Sequence, residues 1–340
     1  MKILIVTALS LEFEAAKAFL MNVRPVTHPS TGTIYDTGIY TAGEKTIEVY
    51  LLEAGAGNVR AAEETGRAID FFKTEFVFFV GVAGGIKDVK LGDVVASTKI
   101  IGYEMGKDEE VFKPRPDTLQ SSYRLEQLAK YVKREKVWQK MVKTDYGITP
   151  EAFVQPIAAG EKVVASERSL TYSYLKKYCS DAFAIEMEGN GFLVAARAHH
   201  ANAIVVRGIS DLIENKEQSD ASGYQPIAAD NAAAFAFAMI GELGETASNP
   251  KDGGTLEYHR ALVEVLVSLY PGGPEEEDIW KRAGGDVSIL INSSSRKSQW
   301  FHAVGKLMSG GGGKTITLST LAKAIAVDHP LANLRIFESR

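Results

Sequence analysis

A single cysteine, Cys179, in a chain of 340 residues leaves no partner for an intrachain disulfide, so stability must come from a packed interior and a reducing, cytoplasmic setting is expected. Excess positive charge is missing too. The 38 Lys and Arg stand against 43 Asp and Glu, a formal net charge of -5, which offers no general surface for nucleic acid or membrane. Any phosphate contact has to be local. No apolar run approaches bilayer length, and residues 1–7 carry no signal-peptide cleavage pattern; they read as a buried first strand. Histidine is scarce, six in all, and the adjacent His199 and His200 lack a second ligand cluster at metal spacing, so neither a metal nor another cofactor is implied.

Alternation is what the chain does have. Up to about Leu243, β-branched apolar runs at 3–7, 46–53, 76–82, 93–101, 182–186 and 203–208 are interleaved with helical periodicity at 11–20, 59–72, 119–133, 187–198 and 227–240. This predicts an α/β domain with a largely buried sheet covered by helices. Residues 244–255 are rich in breakers and poor in apolar side chains, so the expected division is a domain at 1–247, a linker at 248–254 and a small all-α unit at 255–338. In that unit Leu262, Leu266, Leu269 and Tyr270 share a helical face, as do Trp300, Val304, Leu307 and Met308, and then Leu318, Leu321, Ala322 and Ile325. The glycine run at 310–313, followed by Lys314, imitates a phosphate loop. It has Met308 where the motif needs glycine and follows a helical pattern in place of a strand, so an interhelix loop is expected.

Two strand ends lead directly into carboxylates: Glu186-Met187-Glu188-Gly189 and Arg207-Gly208-Ile209-Ser210-Asp211. Glu12 follows the first strand in the same way. Each acid alone could cap a helix or sit solvated in a first turn. Together, at three strand exits, they point to one crevice, because ligands of open α/β sheets gather at the carboxyl ends of strands. Gly55-Ala56-Gly57 and Gly81-Val82-Ala83-Gly84-Gly85 also follow β-rich runs. Neither has a nucleotide fingerprint, and a tight turn is the plain reading of each.

These motifs, in this order and continuing through Leu91-Gly92-Asp93, resemble the nucleoside phosphorylase superfamily, and within it the methylthioadenosine/S-adenosylhomocysteine nucleosidases, from Met1 to about Leu243. The resemblance implies a twisted central mixed sheet flanked by helices, a homo-oligomer of two or more subunits, and cleavage of the N-glycosidic bond of a purine nucleoside or nucleotide. It implies that Asp211 donates a hydrogen bond or proton to purine N7 with Ser210 orienting it, and that Glu12 positions or deprotonates the attacking water. Glu188 would bind ribose hydroxyls and Met187 pack on the sugar, with Gly84, Val163 and Glu186 also lining the substrate site. The residue types agree with that chemistry, since carboxylates stabilise an oxocarbenium-like sugar and manage its protons.

Some positions depart from the family. Val163 stands where a stacking phenylalanine is common, and Val82 where a serine is usual, which argues against methylthioadenosine as the substrate. Lys113 and Arg115, set between prolines, suit phosphate and suggest a nucleotide such as ATP or AMP; a solvated loop is the alternative. Arg60 and Arg207 would hold phosphate in a phosphate-dependent phosphorylase, although Arg207 better suits a structural pairing with a strand-end carboxylate. A non-catalytic nucleotide sensor is a further alternative. The C-terminal unit resembles the effector-associated, death-fold-like adaptor domains of bacterial conflict systems. That resemblance implies a protein partner with a related domain and an effector role in defence or stress.

Overall fold

In the computed structural model, which describes residues 1–107, 109–110, 112–143, 146–213, 223–243, 253–291, 295–308, 311–330 and 332–337, the first apolar run forms β1 (Lys2–Thr7). It lies parallel to β4 (Lys45–Glu53) on one side and to β5 (Phe76–Gly85) on the other. Residues with strands on both sides and helices above and below need no polar face, which is why this run shows no alternation. β3 (Ile34–Ala42) and β2 (Met21–Thr27) extend the sheet antiparallel to one edge. The sequence patterns miss both. β2 is mostly exposed and carries Pro25, which an edge strand tolerates but which hides its strand character.

Beyond β5 come β12 (Asn202–Leu212), β6 (Val94–Gly102), β10 (Ala152–Ala159) and the short β11 (Ala184–Glu186), with β9 (Asp117–Gln120) on β6. β11 pairs with both β10 and the end of β5, so five strands of this ten-stranded mixed sheet close into a ring. β7 (Gly106–Lys107) and β8 (Lys113–Pro114) form a separate small hairpin.

Period-2 alternation along β1 assigns the helices to faces. Ile3 and Ile5 pack in one core with α1 (Ser10–Lys17), α3 (Tyr123–Glu135) and α6 (Tyr224–Glu242). Leu4 and Val6 pack in the other with α2 (Asn58–Phe72) and α5 (Gly189–Ala198). A further helix, α4 (Leu170–Tyr178), buries Tyr172 and Leu175 with Tyr103 and Cys179. The helix expected from residue 119 begins at Tyr123, because Leu119 pairs with Ile100 in the sheet and Ser122 is the N-cap. The 81–85 glycines continue β5 instead of turning, since Gly84 and Gly85 pair with β11 and β12. The 55–57 segment does turn, with Gly55 and Gly57 at φ 81° and 101°.

The chain divides into two compact units, Met1–Gly244 and Glu245–Arg340. The second has its own core on α7 (Gly253–Leu269), α8 (Ile279–Arg282), α9 (Arg296–Met308) and α10 (Leu318–Asp328). Leu262, Leu266, Tyr270, Trp300, Val304, Leu307, Leu321 and Ile325 are buried, while Leu269, Met308, Leu318 and Ala322 pack at the margin. The Trp280 and Trp300 rings lie 6.4 Å apart, edge to face. Residues 248–252 of the expected linker, like Gly310 of the glycine run, lie outside the described residues. Gly253 and Gly254 open α7, in a first turn whose N–H groups need no intrahelical partner. Among the described residues no helix is long and apolar enough to cross a membrane.

One close contact sets how β12 sits under α6: a Cβ on Gly208 would lie 1.9 Å from the Ala228 carbonyl oxygen. The obstacle is backbone, so it cannot rotate away. Gly208→Ala is expected to cost more than the roughly 1–3 kcal/mol of ordinary overpacking. An unchanged Tm in calorimetry would refute this account of the packing.

Candidate active site

Register, more than sequence distance, assembles the site. Gly84 on β5 pairs with Ile185 on β11 and with Asp211 on β12, so three strand ends meet at one residue. A Cβ at Gly84 would lie 2.9 Å from Asp211 Oδ1 and 3.3 Å from Ile185 Cγ2, so a side chain there would crowd both neighbours. The pairing of β12 with β5 slips between Ile209 and Asp211. Such a bulge re-aims side chains, a device common beside active sites. Here it accompanies the turning of consecutive residues, Ser210 and Asp211, onto the same cavity.

Arg207, wholly buried, lies among three carboxylates from three elements. Its Nη2 donates to Glu186 Oε2 and, at 3.0 Å, to Glu188 Oε2, while Nη1 stands 3.8 Å from Glu12 Oε1. The guanidinium also lies 4.4 Å from the Phe79 ring centroid, within cation–π range. Backbone donors fix the carboxylates further. Glu12 Oε2 accepts from the N–H groups of Ala8 (2.8 Å) and Leu9 (3.0 Å), and Oε1 from that of Val82 (2.7 Å). Glu186 accepts from the N–H groups of Glu188 and Gly189, and Glu188 Oε1 from that of Gly57 at 3.1 Å. The helix expected from Met187 therefore begins at Gly189, with Glu188 as its N-cap.

Burial pushes the Glu12 carboxyl above the ordinary glutamate range, although Arg207 and the Val82, Ala8 and Leu9 N–H groups pull the other way. Glu186 is raised as well, by burial first and then by the Glu188 charge, against the pull of Arg207. Burial opposes the charge on Arg207, but the neighbouring carboxylates outweigh it and hold its pKa above the usual value. Glu12 is thus no solvated first-turn acid, and Glu188 does not cap its own helix with its side chain.

Glu12, Glu186, Glu188 and Asp211 line one cavity of about 320 Å³, together with Gly84, Val163, Met187 and Ser210. Ser210 Oγ lies 3.3 Å from Asp211 Oδ2 and 3.4 Å from the Ala83 carbonyl oxygen. No aromatic ring is among the described lining residues; Val163, 61% exposed, and the buried Val164 form part of the wall. Pattern reading misses Lys162 and Gln225, which also line the cavity. Lys162 pairs with Glu104 at 3.3 Å, and a lone amide such as Gln225 carries no sequence signal.

The expected phosphate contacts are placed elsewhere. Lys113 is exposed, pairs with Glu109 and lies on the β7–β8 hairpin; Arg115 is exposed, its N–H bonded to the Met105 carbonyl at 2.8 Å. Neither lines the cavity. Arg60 is an exposed residue of α2 beside Gly55, and Arg207 is taken up by carboxylates. Flanking proline fixes a backbone but not the direction in which a hairpin presents its side chains.

The model of the Phosphorylase superfamily matches residues 2–241. The 5'-methylthioadenosine/S-adenosylhomocysteine nucleosidase of Haemophilus influenzae (strain PittEE) is 29% identical over 253 residues, covering 72% of this chain and all of that relative. The structure of the enzyme of that name from Neisseria meningitidis, in complex with methylthio-immucillin-A, aligns with TM-score 0.57 at 23% identity, over 71% of this chain and 99% of its own. Futalosine hydrolase of Helicobacter pylori strain 26695 aligns with TM-score 0.56 at 25% identity, over 72% and 98%.

Removing Arg207 would leave three buried carboxylates without their counter-charge. Arg207→Ala is expected to lose about 3–5 kcal/mol at neutral pH, the usual penalty for breaking a buried pair. The Glu12 and Glu186 carboxyls, raised further, would stay protonated in the folded state where the unfolded chain has released its protons. Stability of the variant should therefore recover as pH falls toward the carboxylate range and decline as pH rises. Thermal unfolding across pH checks this, and a pH-independent deficit would contradict it.

Proposed function

The chain belongs to the phosphorylase superfamily, and on that footing we propose that it is a hydrolase cleaving the N-glycosidic bond of a purine nucleoside or nucleotide. One observation carries the reading: Glu12, Glu188 and Asp211, from three separate elements, face a single cavity, with Ser210 beside Asp211. In the proposed reaction the bond between sugar C1′ and purine N9 breaks, and its electron pair leaves with the base. Asp211 supplies a proton or hydrogen bond at N7 to make that departure easier. The sugar becomes oxocarbenium-like, and the carboxylates at the cavity floor stabilise its positive charge. Water attacks C1′ and gives its proton to Glu12. Glu188 holds the ribose hydroxyls, and Met187 packs against the ring.

Hydrolysis is favoured over phosphorolysis by charge. Arg207, the cation a phosphate would need, is surrounded by carboxylates, and Glu12 Oε1 occupies the space beside its Nη1. A phosphate dianion arriving there would meet like charges after losing its water. The small wall residue Val163 supports a purine substrate other than methylthioadenosine, ATP and AMP included, although Lys113 and Arg115 add no support. We further propose that residues 255–338 act as an adaptor for a protein partner with a related domain, making the chain an effector of a bacterial defence or stress system. The family match ends at residue 241, before this separately packed unit, which supports an added role. A cytoplasmic homo-oligomer of two or more subunits completes the reading.

The test is incubation with adenosine, methylthioadenosine, AMP, ATP and their guanine counterparts, with and without phosphate, following free base. Base release without phosphate is expected. Phosphate dependence with a sugar 1-phosphate product would replace hydrolase by phosphorylase, and binding without release would replace it by sensor. Asp211→Asn and Glu12→Gln are each expected to lower turnover by about 10²–10⁴-fold. Glu12→Gln should still bind substrate in calorimetry. Because Glu12 must be deprotonated to take a proton and burial raises its pKa, activity should fall on the acid side at a pH above the ordinary glutamate range. The Glu12→Gln residual rate should lack that limb.

A further inference from the structure

Glu188 is the N-cap of α5, yet its side chain accepts nothing from that helix. An acid at this position ordinarily takes the N–H of the second or third helical residue. Here the third residue's N–H, that of Gly191, is taken by a different side chain: it donates to Asn58 Oδ1 at 2.9 Å. The substitute cap comes from the first residue of α2, and the chain must come very close to supply it. A Cβ on Gly191 would lie 1.8 Å from the Asn58 carbonyl oxygen. With the Gly191 N–H taken by Asn58 and that of Gly189 by Glu186, the Glu188 carboxylate turns to Arg207 and to the Gly57 N–H, where it lines the cavity.

The other end of the same amide is also committed. Asn58 Nδ2 donates to the Gly160 carbonyl at 3.0 Å and to Glu161 Oε1 at 2.8 Å. Those residues begin the loop whose Lys162, Val163 and Val164 form a cavity wall. Asn58 itself does not line the cavity.

We propose that Asn58 is a positioning residue: it caps α5 in place of Glu188, leaving that carboxylate for substrate, and ties the 160–164 wall to the same point. Asparagine suits the place because it offers an acceptor to one segment and donors to another. Aspartate at 58 keeps the acceptor for Gly191 but has no donor for Gly160 and repels Glu161. Alanine loses both functions and leaves the Gly191 N–H without that acceptor.

This inference rests on the hydrolase reading of the site, and the two can fail separately. If the unmodified protein releases no base, that reading fails. Hydrogen exchange at the Gly191 amide, followed without substrate, tests Asn58 in either event. Asn58→Ala is expected to speed exchange at Gly191 and to lower kcat by roughly ten- to a hundredfold, as misplaced site groups do. Asn58→Asp should restore the slow exchange and most of kcat while leaving KM raised, because only the wall is released. Tm is measured for both variants. Unchanged exchange in Asn58→Ala, a kcat equal to that of the unmodified protein, or equal kinetic losses in both variants that simply follow Tm would overturn the proposal.

Discussion

A guanidinium sealed from water and held among carboxylates is the constraint on which the first unit's site depends. Arg207 would be very costly to bury alone, and so would Glu12, Glu186 and Glu188. Each is tolerable because the others are there, and because backbone N–H groups take up the remaining carboxylate oxygens. The cluster therefore fixes the relative positions of α1, β5, β11, β12 and the start of α5. The resulting cavity floor carries more acid than base, a field suited to a sugar gaining positive charge and hostile to an arriving anion.

The carboxylate-bearing strand ends were legible in the sequence because apolar runs ending in acids are conspicuous, and Glu12, Glu186, Glu188 and Asp211 do line one cavity. The buried strands were legible for the same reason: β1, β4, β5, β6 and β12 are strongly apolar. β2 was not, since an edge strand has little to bury, and β3, paired on both sides, mixes buried with half-buried residues and has no sustained apolar run. Nor could local pattern reveal that β11 closes a ring with β5, because a two-residue pairing across so much intervening chain leaves no periodicity.

Side chains that act by hydrogen bonding were the least visible. Asn58, Gln225 and Lys162 are ordinary surface residue types whose importance depends on where another segment passes. Lys113 and Arg115 show the reverse: their composition suggests phosphate, and the hairpin pairs Lys113 with Glu109 and leaves Arg115 out of the cavity wall. Charge at a strand end is constrained by topology, but charge in a hairpin is not. In the C-terminal unit the apolar faces of α7, α9 and α10 were readable, because a helical core is built from short-range repeats.

Ring closure has a consequence for how the chain acquires its site. Contacts between β5, β11 and β12 join residues far apart in sequence, and such non-local pairings form slowly because loop-closure entropy precedes any return. Until β11 reaches the end of β5, Glu186 has no fixed place beside Arg207 and Gly84 has no second neighbour. A sheet that lacks that pairing thus holds neither the clamp nor the cavity.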